Sequence, residues 1–417
     1  MKKIKAILLI SIFLISIGTV YAAEGDILWE KEYDSTKPDY AHGIAVDSRN
    51  NVIVTGKSQA GTGASTTYYY YTIKYDPDGG VLWKKWHGDG TINRAFAVAT
   101  DRFDNVIVTG LKKLASTTRY FYTIKYDSNG NVVWAREYDS SSSEDSAYGV
   151  AVDSRNNVIV TGRANDNYYT IKYSQNGDVI WAREYDSGGF DEAYGVAVDS
   201  YDNIIVTGRA NNNYYTIKYD SNGNFVWARE YDGGSYDYGQ GVAVDSKNNI
   251  IVTGKTDVPP NKGYNYYTIK YDSNGNEIWN ARYNGGSTNR ARGIAVDSYD
   301  NVYVTGFSRL LGIGNIYTIK YDSSGKIIWE RSKIMNHRFE IDHENEMNGI
   351  AVDSLNNILV TGSIYNGTNW DYYTVKYEGT PPLAKSPPKS LPIHRFLKIL
   401  NENRCKNHPD AEGCQAG

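Results

Sequence analysis

Three short motifs recur seven times along this 417-residue chain, and that recurrence restricts the fold more than any other feature. The first is a tryptophan, at Trp29, Trp83, Trp134, Trp181, Trp227, Trp279 and Trp329, with a mean spacing of about 50 residues. The second is a β-branched run ending in Thr-Gly, at Thr55-Gly56, Thr109-Gly110, Thr161-Gly162, Thr207-Gly208, Thr253-Gly254, Thr305-Gly306 and Thr361-Gly362. The third is Tyr-Thr-Ile/Val-Lys-Tyr, at residues 71–75, 122–126, 169–173, 215–219, 267–271, 317–321 and 373–377. A unit of this size cannot bury its apolar face alone, so neighbouring units must share a core.

Each unit reads as four short strands. In the third, Gly149 to Asp153 is small and apolar, which suits a crowded inner strand. Asn157 to Thr161 is β-branched and suits burial on both faces. Tyr168 to Tyr173 alternates, and Val179 to Tyr185 ends with more charge, as an outer strand would. Asp153 to Asn157 joins the first pair and Ser174 to Gly177 the last, where Asn-Gly signals a hairpin. The excess of Tyr (38) over Phe (9), with 40 Gly, agrees with half-wet strands joined by tight turns. The expected fold is all-β: a seven-bladed β-propeller of four-stranded antiparallel blades. A right-handed β-solenoid is the alternative, although its coils usually repeat at shorter periods. Gly25 to Tyr33 matches an outer strand, and the last unit stops at Tyr377-Glu378 without one. The N-terminal strand is therefore expected to complete the last blade, closing the ring and covering two sheet edges.

The repeated residues have structural readings. The tryptophans are expected to pack between blades. The Thr-Gly steps are expected to end a strand where the chain turns. Asp47, Asp101, Asp153, Asp199, Asp245, Asp297 and Asp353 stand at hairpin entries, where a carboxylate accepts backbone N–H groups. A cation-binding ring of these aspartates is the less favoured reading, and no metal site is assigned. Lys74, Lys125, Lys172, Lys218, Lys270, Lys320 and Lys376 lie inside strands, paired or snorkelling.

Residues 147–162 (AYGVAVDSRNNVIVTG) resemble the SBBP repeat of bacterial and archaeal seven-bladed β-propellers, and the likeness recurs across residues 26–378. The second copy departs from it, with Ala97, Thr100 and Arg102 in place of Gly, Val and Ser. The resemblance implies an exported, surface-associated propeller. It implies no agreed activity and carries over no catalytic residues. Residues 127–134 (DSNGNVVW) are similar, one residue short, to the tryptophan-docking repeat of pyrroloquinoline quinone enzymes. That segment is structural in those enzymes too, so no cofactor is inferred.

Residues 1–22 read as a secretory signal peptide: Lys2, Lys3 and Lys5, an apolar stretch from Ala6 to Ile17, then Val20-Tyr21-Ala22. The apolar run is shorter than the roughly 20 residues that span a bilayer. The mature chain is expected to have no membrane span and to be secreted or held at the cell surface. Lys+Arg total 44 against Asp+Glu 48, without the basic excess of a nucleic-acid binder, so no nucleic-acid partner is expected. Domains are read as 1–22 signal peptide, 23–378 propeller, 379–392 Pro-rich linker, and 393–417 a short helix and tail. In that tail Cys405 and Cys414 are a candidate disulfide.

One column of the repeat stands out. Just before the inner strand the copies read His42, Phe96, Tyr148, Tyr194, Gln240, Arg292 and Asn348, while the strand that follows is nearly constant. On a propeller these side chains ring the axial opening, on the face that carries the dissimilar loops. Their aromatic and hydrogen-bonding groups suit a protein or polysaccharide ligand, whereas drift at a solvent-exposed rim is the plainer explanation. The insertion from Arg331 to Asn348 holds His337, Glu340, Asp342, His343, Glu344 and Glu346, a solvated loop in preference to a metal site. No phosphate loop, HExxH pair or GxSxG elbow occurs. The expectation is an exported, non-catalytic binding or scaffolding module. An extracytoplasmic polysaccharide hydrolase or lyase is the alternative, recognisable by two carboxyls about 5–9.5 Å apart in a cleft.

Overall fold

The computed structural model describes residues 24–379, except 61–66, 89–91, 114–117, 142–143, 258–262, 286–287, 311–312 and 339–348. The expected signal peptide, the Pro-rich linker, the Cys405–Cys414 pair and the insertion beyond Arg338 lie outside the described residues. Among those described there are 28 strands. They form five four-stranded antiparallel sheets and one of eight, which is two four-stranded groups joined by a single parallel bridge between Tyr68 and Ile92. The all-β, four-stranded organisation is as expected.

In the third unit Ser146–Val152, Val158–Ala164, Asn167–Tyr173 and Val179–Tyr185 pair in chain order. The second strand is the most buried, with Val158, Ile159 and Val160 all 0% exposed. The first strand of each sheet packs on the first strand of the next, and Asp39–Val46 packs on Gly349–Val352. The N-terminal strand Ile27–Tyr33 lies antiparallel beside Trp370–Tyr377, in the sheet that also holds Ile358–Tyr365 and Gly349–Val352.

The Thr-Gly steps do not end strands. Thr161 and Gly162 are in the middle of Val158–Ala164, and the other copies are alike. Each threonine meets the threonine opposite it on the third strand, as Thr161 meets Thr170 at 3.0 Å. The glycine makes room for the first strand of its own sheet and for a tyrosine of the sheet before it. At Gly208 a Cβ would collide with the Glu192 carbonyl and stand 2.7 Å from the Tyr168 hydroxyl. That hydroxyl donates to the Tyr215 carbonyl at 2.9 Å, bonding one sheet to the next. Gly208→Ala is therefore expected to cost about 1–3 kcal/mol by overpacking. A urea midpoint unchanged from wild type would show that the neighbouring sheets are not this close.

The aspartates and lysines are one device. Asp153 Oδ1 accepts the amides of Arg155 and Asn157, and Oδ2 accepts Asn157 Nδ2 and Lys172 Nζ, all at 2.8–2.9 Å. Lys172 Nζ also donates to the Ser221 carbonyl in the hairpin of the next sheet, as does Trp181 Nε1. The tryptophan thus lies between sheets, its ring 6.4 Å from that of Tyr219. The hairpins are bonded in series too. Ser154 N–H reaches Asp202, Ser298 N–H reaches Asn356, and Ser354 N–H in the last copy reaches Asn50 in the first.

The sixth unit departs from this scheme. Tyr303 replaces the usual aliphatic residue, and its hydroxyl takes the Asp297 oxygen at 2.9 Å that a lysine holds elsewhere. Lys320 pairs instead with Glu24, which also accepts Trp329 Nε1 at 3.1 Å. The next sheet has no hairpin there, because its outer strand is the N-terminal one. Glu24 supplies the oxygen that a hairpin carbonyl supplies in the other units. Gly25, at φ +85°, falls where each hairpin has a positive-φ glycine, and Arg331 bonds its carbonyl as Arg136 bonds that of Gly177. Glu24→Ala is expected to cost about 1.5–3 kcal/mol, the range for a hydrogen bond to a charged group. The check is a denaturant melt compared with that of Glu32→Ala, for which no such loss is expected.

Candidate functional site

The variable column coincides with a repeated backbone irregularity. In the first-to-second strand pairing the register slips between Ala41 and Gly43, Ala95 and Ala97, Ala147 and Gly149, Ala193 and Gly195, Gly239 and Gly241, and Ala291 and Gly293. His42, Phe96, Tyr148, Tyr194, Gln240 and Arg292 are the extra residues of these β-bulges. A bulge leaves one residue outside the ladder and re-aims its side chain, and here the six line one cavity of about 160 Å³. Asn348, the seventh member of the column, lies outside the described residues.

These six side chains do not stand free at a wet rim. His42 is 2% exposed, Phe96 6% and Gln240 8%, and the other three are half-buried. They meet in sequence order. Ring centroids lie 5.4 Å apart for His42 and Phe96, 5.3 Å for Phe96 and Tyr148, and 5.4 Å for Tyr148 and Tyr194. Arg292 donates to the Gln240 side-chain oxygen at 3.1 Å. His42 Nδ1 donates to the Ala95 carbonyl at 2.6 Å, which fixes its ring. Burial pushes the Tyr148 hydroxyl up to about 12, so it stays a neutral hydrogen-bonding group. The cavity is smaller than the roughly 300 Å³ at which drug-sized pockets begin. It has room for one sugar ring or one side chain.

A second set of residues lies beside the first in each sheet. One step before each bulge the cross-strand pairs are Tyr40–Lys57, Arg94–Leu111, Ser146–Arg163, Glu192–Arg209, Tyr238–Lys255 and Arg290–Phe307. Six of these twelve residues are cationic and one is acidic. Glu192 is shared by Arg163 at 2.9 Å and Arg209 at 3.1 Å, and accepts the Tyr194 hydroxyl. Lys255 sits over the rings of Tyr238 and Tyr264, at 4.1 and 4.2 Å. Arg290 lies 5.3 Å from the Tyr264 centroid, and Arg94 lies 5.7 Å from that of Tyr68. Nε of Arg94 and Nε of Arg290 are buried without a hydrogen-bond partner. Burial holds the Arg94 guanidinium below its usual pKa, and the nearby Arg119 charge adds to that.

Residues 226–259 match the SBBP β-propeller repeat family. That window carries one SBBP repeat. The matched window runs from the outer strand Phe225–Tyr231 through the first two strands of the next sheet, so the repeat is out of phase with the sheets. An uncharacterized WD repeat-containing protein of Acanthamoeba polyphaga mimivirus is 28% identical over 156 residues, which is 29% of this chain and 11% of that protein. Among solved structures, Drosophila plexin A in complex with semaphorin 1b aligns at TM-score 0.45 and 9% identity, over 86% of this chain and 88% of its own. A polysaccharide lyase, ulvan lyase, aligns at TM-score 0.48 and 9% identity, over 84% and 96%.

Within the SBBP unit, reading the repeats one column at a time found the bulge position and missed its neighbours. The signal was present: the residue after Thr-Gly varies from Lys57 to Leu111, Arg163 and Phe307. It looked like the end of a strand, and only strand pairing sets it beside Arg94 or Arg290.

Proposed function

We propose that this chain is an exported, closed seven-bladed β-propeller that binds an acidic polysaccharide at the mouth of its axial channel without chemically altering it. Three contacts support closure: the N-terminal strand on the last sheet, the Ser354–Asn50 bond, and the donation of both Trp29 Nε1 and Lys376 Nζ to the Pro77 carbonyl. The apolar N-terminal stretch and the SBBP resemblance support export, and no helix among the described residues is long and apolar enough to cross a membrane.

The observation that carries the ligand reading is the cationic character of the second set. Arg94 and Arg290 are half-buried guanidinium groups without a carboxylate partner among the described residues. A half-buried cation with an unbonded Nε and no carboxylate beside it is costly, and an anionic group docked there satisfies it. The described cavity lining combines aromatic, amide, histidine and guanidinium side chains with glycine and aliphatic residues, and holds no aspartate or glutamate. By the carboxyl-pair criterion that composition supports binding over glycan hydrolysis. The test is a panel of sulfated, uronic-acid and neutral glycans with acidic peptides, run against wild type and Arg94→Ala/Arg290→Ala. Wild type is expected to prefer acidic glycans, with affinity falling as salt rises. The double variant should bind at least about tenfold more weakly, the loss of one or more charged hydrogen bonds. Selective capture of acidic peptides would move the ligand to protein, and binding indifferent to both arginines would reject the site.

A further inference from the structure

Asp34, Asp39 and Asp371 each bring one carboxylate oxygen to within 4.8 Å of the other two. Ligands about 2.3–2.6 Å from a shared ion stand at most about 5 Å apart, so this spacing allows all three to reach one ion. Asp39 is 0% exposed and Asp371 2%. Only hydrogen-bond donors satisfy the group. Ser35 N–H reaches Asp39 Oδ2 at 2.8 Å, and Asn366 Nδ2 reaches Asp371 Oδ2 at 2.7 Å. Asp34 Oδ1 accepts Thr36 N–H at 2.5 Å and Asn369 Nδ2 at 3.3 Å. Asp39 also faces the Ser58 hydroxyl across the strand pair, while Oδ1 of Asp371 is buried without a hydrogen-bond partner. Burial, then the charge of Asp34, pushes Asp371 up to about 6, and burial raises Asp39 as well.

Comparison of the repeats isolates what is unusual. An aspartate at the start of the first strand braces the preceding loop in other units too: Asp145 accepts Ser140 N–H and Asp191 accepts Ser187 N–H. The residue equivalent to Asp371, one before the third-strand core, is Asn167, Asn213, Asn265 or Asn315 in four other units. Only the last sheet has a third acid there, facing two acids already in place. A fold with six alternative versions of this corner gains nothing structural from added repulsion.

We infer that Asp34, Asp39 and Asp371 hold one divalent cation of the calcium class, which ties the segment after the N-terminal strand to the last sheet. An all-oxygen set without histidine or cysteine is the chemistry of hard cations. The inference is independent of the acidic-glycan reading, since the site uses none of the channel residues.

The test uses the full chain stripped with EDTA, titrated with CaCl2 and separately with MgCl2 by calorimetry and by thermal melting. Wild type is expected to bind a Ca2+ ion and to melt at a higher temperature with it. Asp371→Asn restores the residue of the sister units, so it should fold. Without metal it should melt at or above wild type, and its Ca2+ affinity should drop more than about tenfold with one of three charges removed. Binding heat and melting shift absent for both metals would overturn the inference. So would an Asp371→Asn variant that binds Ca2+ as tightly as wild type.

Discussion

A chain shortened to begin at Asp34 is expected to lose its cooperative unfolding transition. The missing segment touches three sheets. Ile27–Tyr33 hydrogen-bonds Trp370–Tyr377, and Glu24 and Glu30 reach back to Lys320 and Lys333. Tyr33 stacks on Tyr71 at 4.6 Å, and Trp29 lies 6.2 Å from Tyr75 in the first sheet. Trp29 alone removes on the order of 150–250 Å² from water, an upper bound of about 4–6 kcal/mol. Its loss also leaves Trp370–Tyr377 as a bare edge, a template for aggregation. A peptide covering residues 24–36 should restore the transition when added in trans, and the same peptide with Trp29→Ala should not. This separates the proposed ring from an open row of sheets. In an open row each unit contacts only its neighbours, so trimming one end removes a local increment of stability. A shortened chain that melts within a few degrees of the full one would therefore count against the ring.

Asp153→Ala is expected to cost about 3–5 kcal/mol, the usual penalty for stranding one member of a buried ion pair. Lys172 is 4% exposed and would keep only the Ser221 carbonyl, while the amides of Arg155 and Asn157 would lose their acceptor. Asp153→Asn is a milder control, because the amide oxygen still accepts the hairpin amides. Chemical denaturation of the three proteins reads both values, and a loss under about 1 kcal/mol for the alanine would deny the pair a structural role. The same groups set an acid limit. For Asp47, Asp101, Asp153, Asp199 and Asp245 burial alone would raise the carboxyl. The lysine and the hairpin asparagine outweigh it and hold each one below 3.8. A depressed folded-state pKa means that the unfolded chain takes up protons first as pH falls. The stabilisation is complete above about pH 4 and is withdrawn below it, five times over in one molecule. Stability measured from pH 7 to 2 should fall steeply only in that last range, and less steeply in Asp153→Asn.

The candidate site was half legible. Its bulge column announced itself because seven positions filled by six residue types precede an otherwise repeated strand, and an irregular column in a regular array signals local function or drift. Burial was not legible. His42 and Phe96 looked like rim residues, yet the bulges turn them onto one another. The cationic set escaped notice because Arg94 and Arg290 lie on first strands while Lys57, Arg163, Arg209 and Lys255 lie on second strands. Strand pairing, not sequence proximity, makes them neighbours. The carboxylate cluster was further out of reach: Asp34 and Asp371 are separated by nearly the whole chain and meet only because the N-terminal strand joins the last sheet.

Periodicity by itself determined that this protein is built from four-stranded β units, which segments form the strands, and that the strand around Trp29 joins the sheet of the last repeat. Those properties follow from local alternation and turn chemistry, which each 50-residue copy states afresh. Tertiary structure alone decided why the second-strand glycine is required, since a Cβ there would strike the first-strand carbonyl at the bulge and, in several units, a tyrosine hydroxyl arriving from another sheet. It also decided that Glu24 replaces a hairpin carbonyl and that three distant aspartates face one another. A sequence records which groups are present, while desolvation and Coulomb energies depend on separations that only packing between the copies creates.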